Sequence, residues 1–195
     1  MPPAPSADRV IELLGLEPLP HEGGAFRETY RAATRVPNPL DPEDSRASST
    51  QIYYLLRPGE SSALHRVRSD EVFHHYLGDP VVQLRIDDGS ETFADAQQGT
   101  APTAEIATIG GDLTRGERPQ VLAPRHIWQG AVLADLPENT HAHGYALMGC
   151  TVAPGFEWAD FELITAERAS RLAEALPEHR DLIAAMTPVE GRTRA

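Results

Sequence analysis

The sequence predicts a mainly β protein, a sandwich or barrel of short strands with one short helix before it and helices after it. Three observations carry this. Short stretches of alternating or continuous apolar residues follow one another from about residue 24 to residue 164, separated by Gly, Pro, Asp and Ser. From Thr165 onward the apolar period changes from that of a strand to that of a helix. Nothing between these regions has the composition of a linker, and no internal repeat is visible. One domain is therefore expected over residues 1–195, with the barrel at about 24–164 and a helical segment at about 165–187.

The first helix is read from SADRVIELLGL. Ser6 can cap it, Val10, Ile11, Leu13 and Leu14 share one face, and Gly15 can end it. AFRETYRA then alternates Phe26, Glu28 and Tyr30 against Arg27, Thr29 and Arg31, as an amphipathic strand does. VPNPLDPEDSRASS is rich in Pro, Asp and Ser and is expected to be an exposed loop. The strand candidates that follow are TQIYYLL, ALHRV, EVFHHYL, VVQLRI, ETFADA, AEIATIG, PQVLA, HIWQGAVL and YALMGCTVA. TAERASRLAEALPEHRDLIAAM closes the chain as two short helices, interrupted at Pro177.

Composition narrows the partners. The chain has 195 residues, 41% of them hydrophobic, enough for a core of its own. No apolar run approaches the roughly 18–20 residues of a membrane span. The N-terminus has neither a basic nor an apolar signal region. The lone cysteine, Cys150, excludes an internal disulfide and points to a reducing cytoplasm. The formal charge is −12, and every basic residue other than histidine is arginine. A net acidic chain without a basic run is poorly suited to nucleic acid or to anionic membranes. The expected partner is a small-molecule ligand.

PGESSALHRVRSDEVFHHYLGD, residues 58–79, concentrates His65, Glu71, His74 and His75 between Gly59 and Gly78. Gly59, His65, Glu71 and Gly78 fall at the spacing of the first cupin motif, G-x5-H-x-H-x3-E-x6-G, with Val67 where the second histidine would stand. A second cupin motif is matched only at Pro124, with Gln129 where its histidine would be. A closer likeness runs along IELLGLEPLPHEGGAFRETYRA, STQIYYLL, LHRVRSDEVFHHYLGDP, GERPQVLAPRHIWQGA and LMGCTVAPGFEWADFEL. These blocks resemble, in order, those of the cupin-5 family, also called DUF985. The resemblance implies a double-stranded β-helix, a jelly-roll barrel of two antiparallel sheets, and a homodimer in which a strand such as AFRETYRA crosses to the partner. Cupin shapes serve epimerases, isomerases, dioxygenases, decarboxylases and non-catalytic binders, so the fold alone does not choose among them.

The candidate catalytic residues are His65, Glu71 and His74. His65 is expected to act as a general base with its tautomer set by Glu71, and Tyr54 or His74 to return the proton. As a pocket-facing polar residue, His65 is also expected to be removable without unfolding the barrel. Candidate ligand contacts are Phe26, Arg27, Tyr54, Trp128 and Gln129, with Phe26 and Arg27 closing the mouth and holding an anion. This describes an epimerase or isomerase of a sugar-like or keto-acid substrate. Two alternatives stand beside it: a metal-dependent oxygenase or decarboxylase, and a non-catalytic binder of a small acidic metabolite. No cofactor is expected. If a divalent metal binds, His65, Glu71 and Gln129 are its ligands, a poor set with one imidazole and one neutral amide. Strand alternation from Glu71 turns His75 inward and His74 outward, whereas the family block places its histidine at 74. The HAHG pair, His141 and His143, reads as a loop tip, Cys150 as packing, and Trp158 as wall or core.

Overall fold

The structure is a computed structural model and describes residues 4–38, 41–90, 101–134 and 143–188. Helix α1 (Ala7–Leu14) begins where Ser6 accepts the backbone N–H of Arg9 and ends at Gly15 in the left-handed region, φ 61°. The strands follow in chain order: β1 (Glu17–Pro18), β2 (Ala25–Arg31), β3 (Arg35–Asn38), β4 (Asp41–Ala47), β5 (Thr50–Leu56), β6 (Ser61–Arg66) and β7 (Asp70–Gly78). Then come β8 (Val81–Asp87), β9 (Thr103–Ile109), β10 (Gln120–Ala123), β11 (Trp128–Leu133), β12 (Ala146–Ala153) and β13 (Glu162–Leu163). Helices α2 (Ala166–Ala175) and α3 (Arg180–Ala185) end the described chain, separated by a 3₁₀ turn at Pro177–His179. The expected ETFADA strand and His141 lie outside the described residues. Among those residues no helix is long and apolar enough to cross a membrane.

Two antiparallel sheets face each other. One has the order β1-β2-β5-β12-β7-β10, the other β13-β6-β11-β8-β9. Each strand sends alternate residues to opposite sides. Tyr54, Leu56, Phe73, Ala131, Met148 and Cys150 meet between the sheets. Their sequence neighbours face out: Leu55 and Leu147 lie under α1 with Val10, and Leu64, Leu84 and Ile86 lie under α2 and α3 with Leu172 and Ile183. Full burial of each such side chain stabilises the fold by about 1.5–3 kcal/mol, so both outer layers contribute to stability along with the interior. Thr165 caps α2 by accepting from Arg168, and the helical segment starts where the period changes.

Two local features depart from the sequence reading. Residues 36–49, expected as a loop, contain most of a β3–β4 hairpin in which Val36 pairs with Arg46 and Arg35 with Ala47. Its polar composition is tolerated because the hairpin is a separate two-stranded sheet. It is fastened by a buried ion pair from Arg46 to Asp160 in the 3₁₀ turn Trp158–Asp160. The second feature is a bulge on β6. Gln129 of β11 pairs with His65 and Ala131 with Ser62, so two residues of β6 face one of β11. The extra residue brings Ser62 and His65, three positions apart, to the same inner face. Strand β2 is paired with β1 and with β5 in its own chain.

Candidate functional site

The site begins at a turn. His21, Gly23 and Gly24 all have positive φ, 68°, 100° and 72°. A side chain on Gly23 would lie 2.5 Å from the Ser61 carbonyl, and one on Gly24 would lie 2.7 Å from the Leu55 carbonyl. Only glycine fits such close backbone approaches at these angles. The turn is tied to the sheets, since Ala63 donates its N–H to the Glu22 carbonyl at 2.9 Å and the Tyr54 hydroxyl donates to the Gly23 carbonyl at 3.0 Å. The Glu22 side chain is thereby aimed at β6, where Ser62 donates its hydroxyl to it at 2.6 Å. Gly23→Ala is expected to cost at least about 2 kcal/mol, read as a drop in the urea midpoint, because left-handed strain and a backbone clash add together. It should also disturb Glu22 before any other site residue.

His65 lies between two carboxylates. Its Nδ1 is 2.8 Å from the Ala63 carbonyl, which can only accept, so Nδ1 carries a proton. Glu22 Oε1 lies 3.9 Å from Nδ1, and Glu71 Oε2 lies 4.0 Å from Nε2 on the other side. The imidazole is 3% exposed. Burial by itself lowers its proton affinity. The charge of Glu22, the proximity of Glu71 and the Ala63 carbonyl together outweigh that and push its pKa up to about 9. The balance is physically reasonable, because a unit-charge pair at this distance is worth about 4 kcal/mol at an effective dielectric of 20. Glu22 is also shifted up, by burial first and by the charge of Glu71, with His65 and Ser62 opposing. Gln129 completes the row, its amide nitrogen 2.6 Å from Glu71 Oε2 and 3.4 Å from His65 Nε2. Phe161 covers the imidazole, with ring centroids 5.1 Å apart and planes 23° from parallel. Phe161 in turn packs edge-on against Phe156 and Trp158.

The structure brings together His65, Glu71, Tyr54 and Gln129 of the expected residues, and Phe26 packs against the interior cluster beside them. It does not bring His74, Arg27 or Trp128. His74 is on the outer face of β7, where Nε2 meets the Thr151 hydroxyl at 3.1 Å and the ring stacks on Tyr76. The irregularity of β7 falls after His75, too late to turn His74 inward. His75, opposite the core residue Met148, faces in. Arg27 donates to the Leu14 carbonyl at 2.9 Å and so caps α1 instead of holding an anion at a mouth. Trp128 lies beneath α2, between the guanidinium groups of Arg66 and Arg168 at 4.6 and 5.2 Å, and donates Nε1–H to Asp88 at 2.8 Å. Cys150 is buried in the core, and burial and then Glu71 push its thiol pKa well up. The His143 backbone N–H is held by Asp79.

Glu22, Ser62, Gln83 and Phe161 were not anticipated. HEGG was the one available signal for Glu22, since paired glycines after an acid mark a backbone that must turn tightly. The residues present do not fit a divalent metal. Glu22 and Glu71 lie on opposite sides of the one imidazole, and the amide NH₂ of Gln129 points at Glu71 and His65 Nε2, where a ligand atom would have to be an acceptor. Among the described residues no group of three or more His, Cys, Asp or Glu is arranged to hold an ion.

The family model for the cupin superfamily (DUF985) matches residues 8–164. The chain belongs to the Cupin_5 family. A hypothetical protein from Leishmania major is similar at 32% identity, covering 95% of this chain and 100% of its own, with a TM-score of 0.76. A protein from Shewanella oneidensis is similar at 31% identity, over 96% of this chain and 100% of its own, with a TM-score of 0.73. No curated protein matches the sequence. His65 and Glu71 lie on consecutive strands, β6 and β7, one in each of the two facing sheets.

Proposed function

We propose that the barrel binds a small polar carbonyl compound and that Glu22, His65 and Glu71 move a proton on the carbon beside the carbonyl, as an epimerase or isomerase does. The observation that supports this is an imidazole flanked at about equal distance by two carboxylates, Glu71 buried and Glu22 13% exposed. The acid and base roles follow from the environments. With a pKa of about 9, His65 holds its proton at neutral pH, so it serves as the acid that polarises the carbonyl oxygen, in place of the base role expected from sequence. Its Nδ1–H is committed to Ala63, which leaves the Nε2–H to be offered. Glu22, whose carboxyl pKa is raised, is the stronger base and withdraws the carbon-bound proton. Tyr54, buried and pushed well above its usual range by burial and by Glu22, keeps its proton and positions the Gly23 carbonyl. Ligand entry displaces Phe161 from the imidazole, and its return excludes water.

The test is hydrogen exchange in heavy water. Dihydroxyacetone, small aldoses and 2-keto acids are incubated with the protein, and loss of the carbonyl-adjacent proton is followed by NMR. Wild-type protein is expected to exchange at least one of them, and His65→Gln and Glu22→Gln to do so about 100-fold more slowly or worse. No wild-type exchange, or exchange untouched by both substitutions, overturns the reading.

A further inference from the structure

We infer that Gln83, on the inner face of β8, is a ligand-binding residue of this site and that the ligand is an uncharged polyhydroxy compound instead of a carboxylate. This rests on the barrel interior being the binding site. Gln83 is 0% exposed and has no catalytic neighbour of its own except through Gln129. Val81 and Gln83 point between the sheets while Leu84 and Ile86 point out beneath α2 and α3.

The orientation of its amide is dictated from one end. Gln129 turns its NH₂ group to Glu71 Oε2 and donates to it at 2.6 Å. Gln129 Oε1 then faces Gln83, which must turn its own NH₂ group to it, at 3.3 Å. Reversing either amide would set oxygen against oxygen. Gln83 Oε1 is therefore left facing the barrel interior, and no hydrogen-bond donor among the described residues reaches it. A buried acceptor without a donor is costly, and a ligand hydroxyl removes that cost.

The charge of the surroundings selects the same chemistry. The interior row carries two carboxylates and one imidazole. The next inward position on β8 is Arg85, which donates to the Leu122 carbonyl at 2.7 Å and to Glu105 at 3.0 Å, while its buried Nε–H has no partner among the described residues. The interior thus offers acceptors, Glu22, Glu71 and Gln83 Oε1, together with donors, His65 Nε2–H and Arg85 Nε–H. Hydroxyl groups, which donate and accept, complement this arrangement, while a ligand carboxylate, which only accepts, would leave Glu22, Glu71 and Gln83 Oε1 without a donor.

The experiment follows the side-chain amide signals of Gln83 and Gln129 by ¹⁵N NMR during titration with four probes. Glycerol and dihydroxyacetone are uncharged, and D-glycerate and pyruvate are carboxylates of similar size. Saturable shifts are expected with the uncharged pair, with at least tenfold weaker binding of the carboxylates. Gln83→Met is expected to weaken the uncharged probes about tenfold. If Gln83→Met fails to fold, Gln83→Glu, of nearly the same shape, is titrated instead. It should change affinity while a remote surface substitution does not. Equal or tighter binding of glycerate, absence of saturable shifts, or unchanged affinity in the Gln83 variant overturns the inference. Glycerol has no carbonyl, so its binding is independent of proton transfer. Glycerol binding without hydrogen exchange would sink the proposed reaction and leave Gln83 in place. Exchange unaffected by Gln83→Met would do the opposite.

Discussion

Replacing His65 with alanine should destabilise the protein by about 3–5 kcal/mol at neutral pH, the cost typical of removing one partner from a buried ion pair. The sequence had suggested that the barrel would stay folded without it. The geometry reverses that expectation, because Glu22 and Glu71 would be left buried with no cation between them. They would have to take up protons or admit water. The double variant His65→Ala/Glu22→Gln should recover much of the loss, and a double-mutant cycle in urea measures the coupling. The pH dependence has a definite sign. His65 has a higher pKa folded, about 9, than its ordinary 6.5, so its contribution is complete below 6.5 and disappears as pH rises through 9. At about 1.4 kcal/mol per unit this amounts to about 3 kcal/mol. Glu22, also raised, adds a decline in the same direction above its ordinary 4.5. Wild-type stability should therefore fall between pH 6 and 10. In His65→Gln most of that fall should be absent, and an equal fall would show that the imidazole is not held as described.

Asp160→Ala is expected to have a comparable effect through a second buried ion pair. Arg46 and Asp160 form an ion pair with both side chains 5% exposed, and truncating the acid strands a guanidinium whose Nε already has no partner among the described residues. A loss of about 3–5 kcal/mol should appear in thermal or urea unfolding. Replacing both residues with apolar ones, Arg46→Met/Asp160→Leu, should cost much less, since it is the unpaired charge that is expensive. If Asp160→Ala unfolds like wild type, the β3–β4 hairpin is not fastened through this pair. Because Phe161 follows Asp160 directly, the single variant should also loosen the ring over His65 and raise the exposure of the imidazole.

The barrel was legible because alternation and turn residues are local properties, and the two residues at the cupin spacing, His65 and Glu71, lie 4.0 Å apart. The errors have a common physical source. Phe26 with Arg27, and Trp128 with Gln129, were assigned to one pocket, yet adjacent residues of a strand face opposite sides. Only Phe26 and Gln129 are inward. His74 failed for the same reason, and there alternation counted from Glu71 had given the right answer. Ser62 needed the β6 bulge, which depends on the pairing with β11 and leaves no mark in the sequence of β6 alone. Glu22 needed a turn built from three positive φ values. Gln83 looked like one polar residue in an apolar strand until Gln129 and Glu71 fixed which way its amide points.

The two tryptophans give the protein a pair of independent optical reporters. Trp128 is fully buried between two guanidinium groups beneath α2, so its emission should be blue-shifted and closed to an aqueous quencher. Trp158 is 51% exposed and packs against Phe161, so its emission should be red-shifted and readily quenched. Displacement of the ring over His65 will then change the red component while the blue one stays constant. Detachment of the C-terminal helices will change the blue component. One fluorescence titration can in this way separate opening of the site from loosening of the scaffold, without any added label.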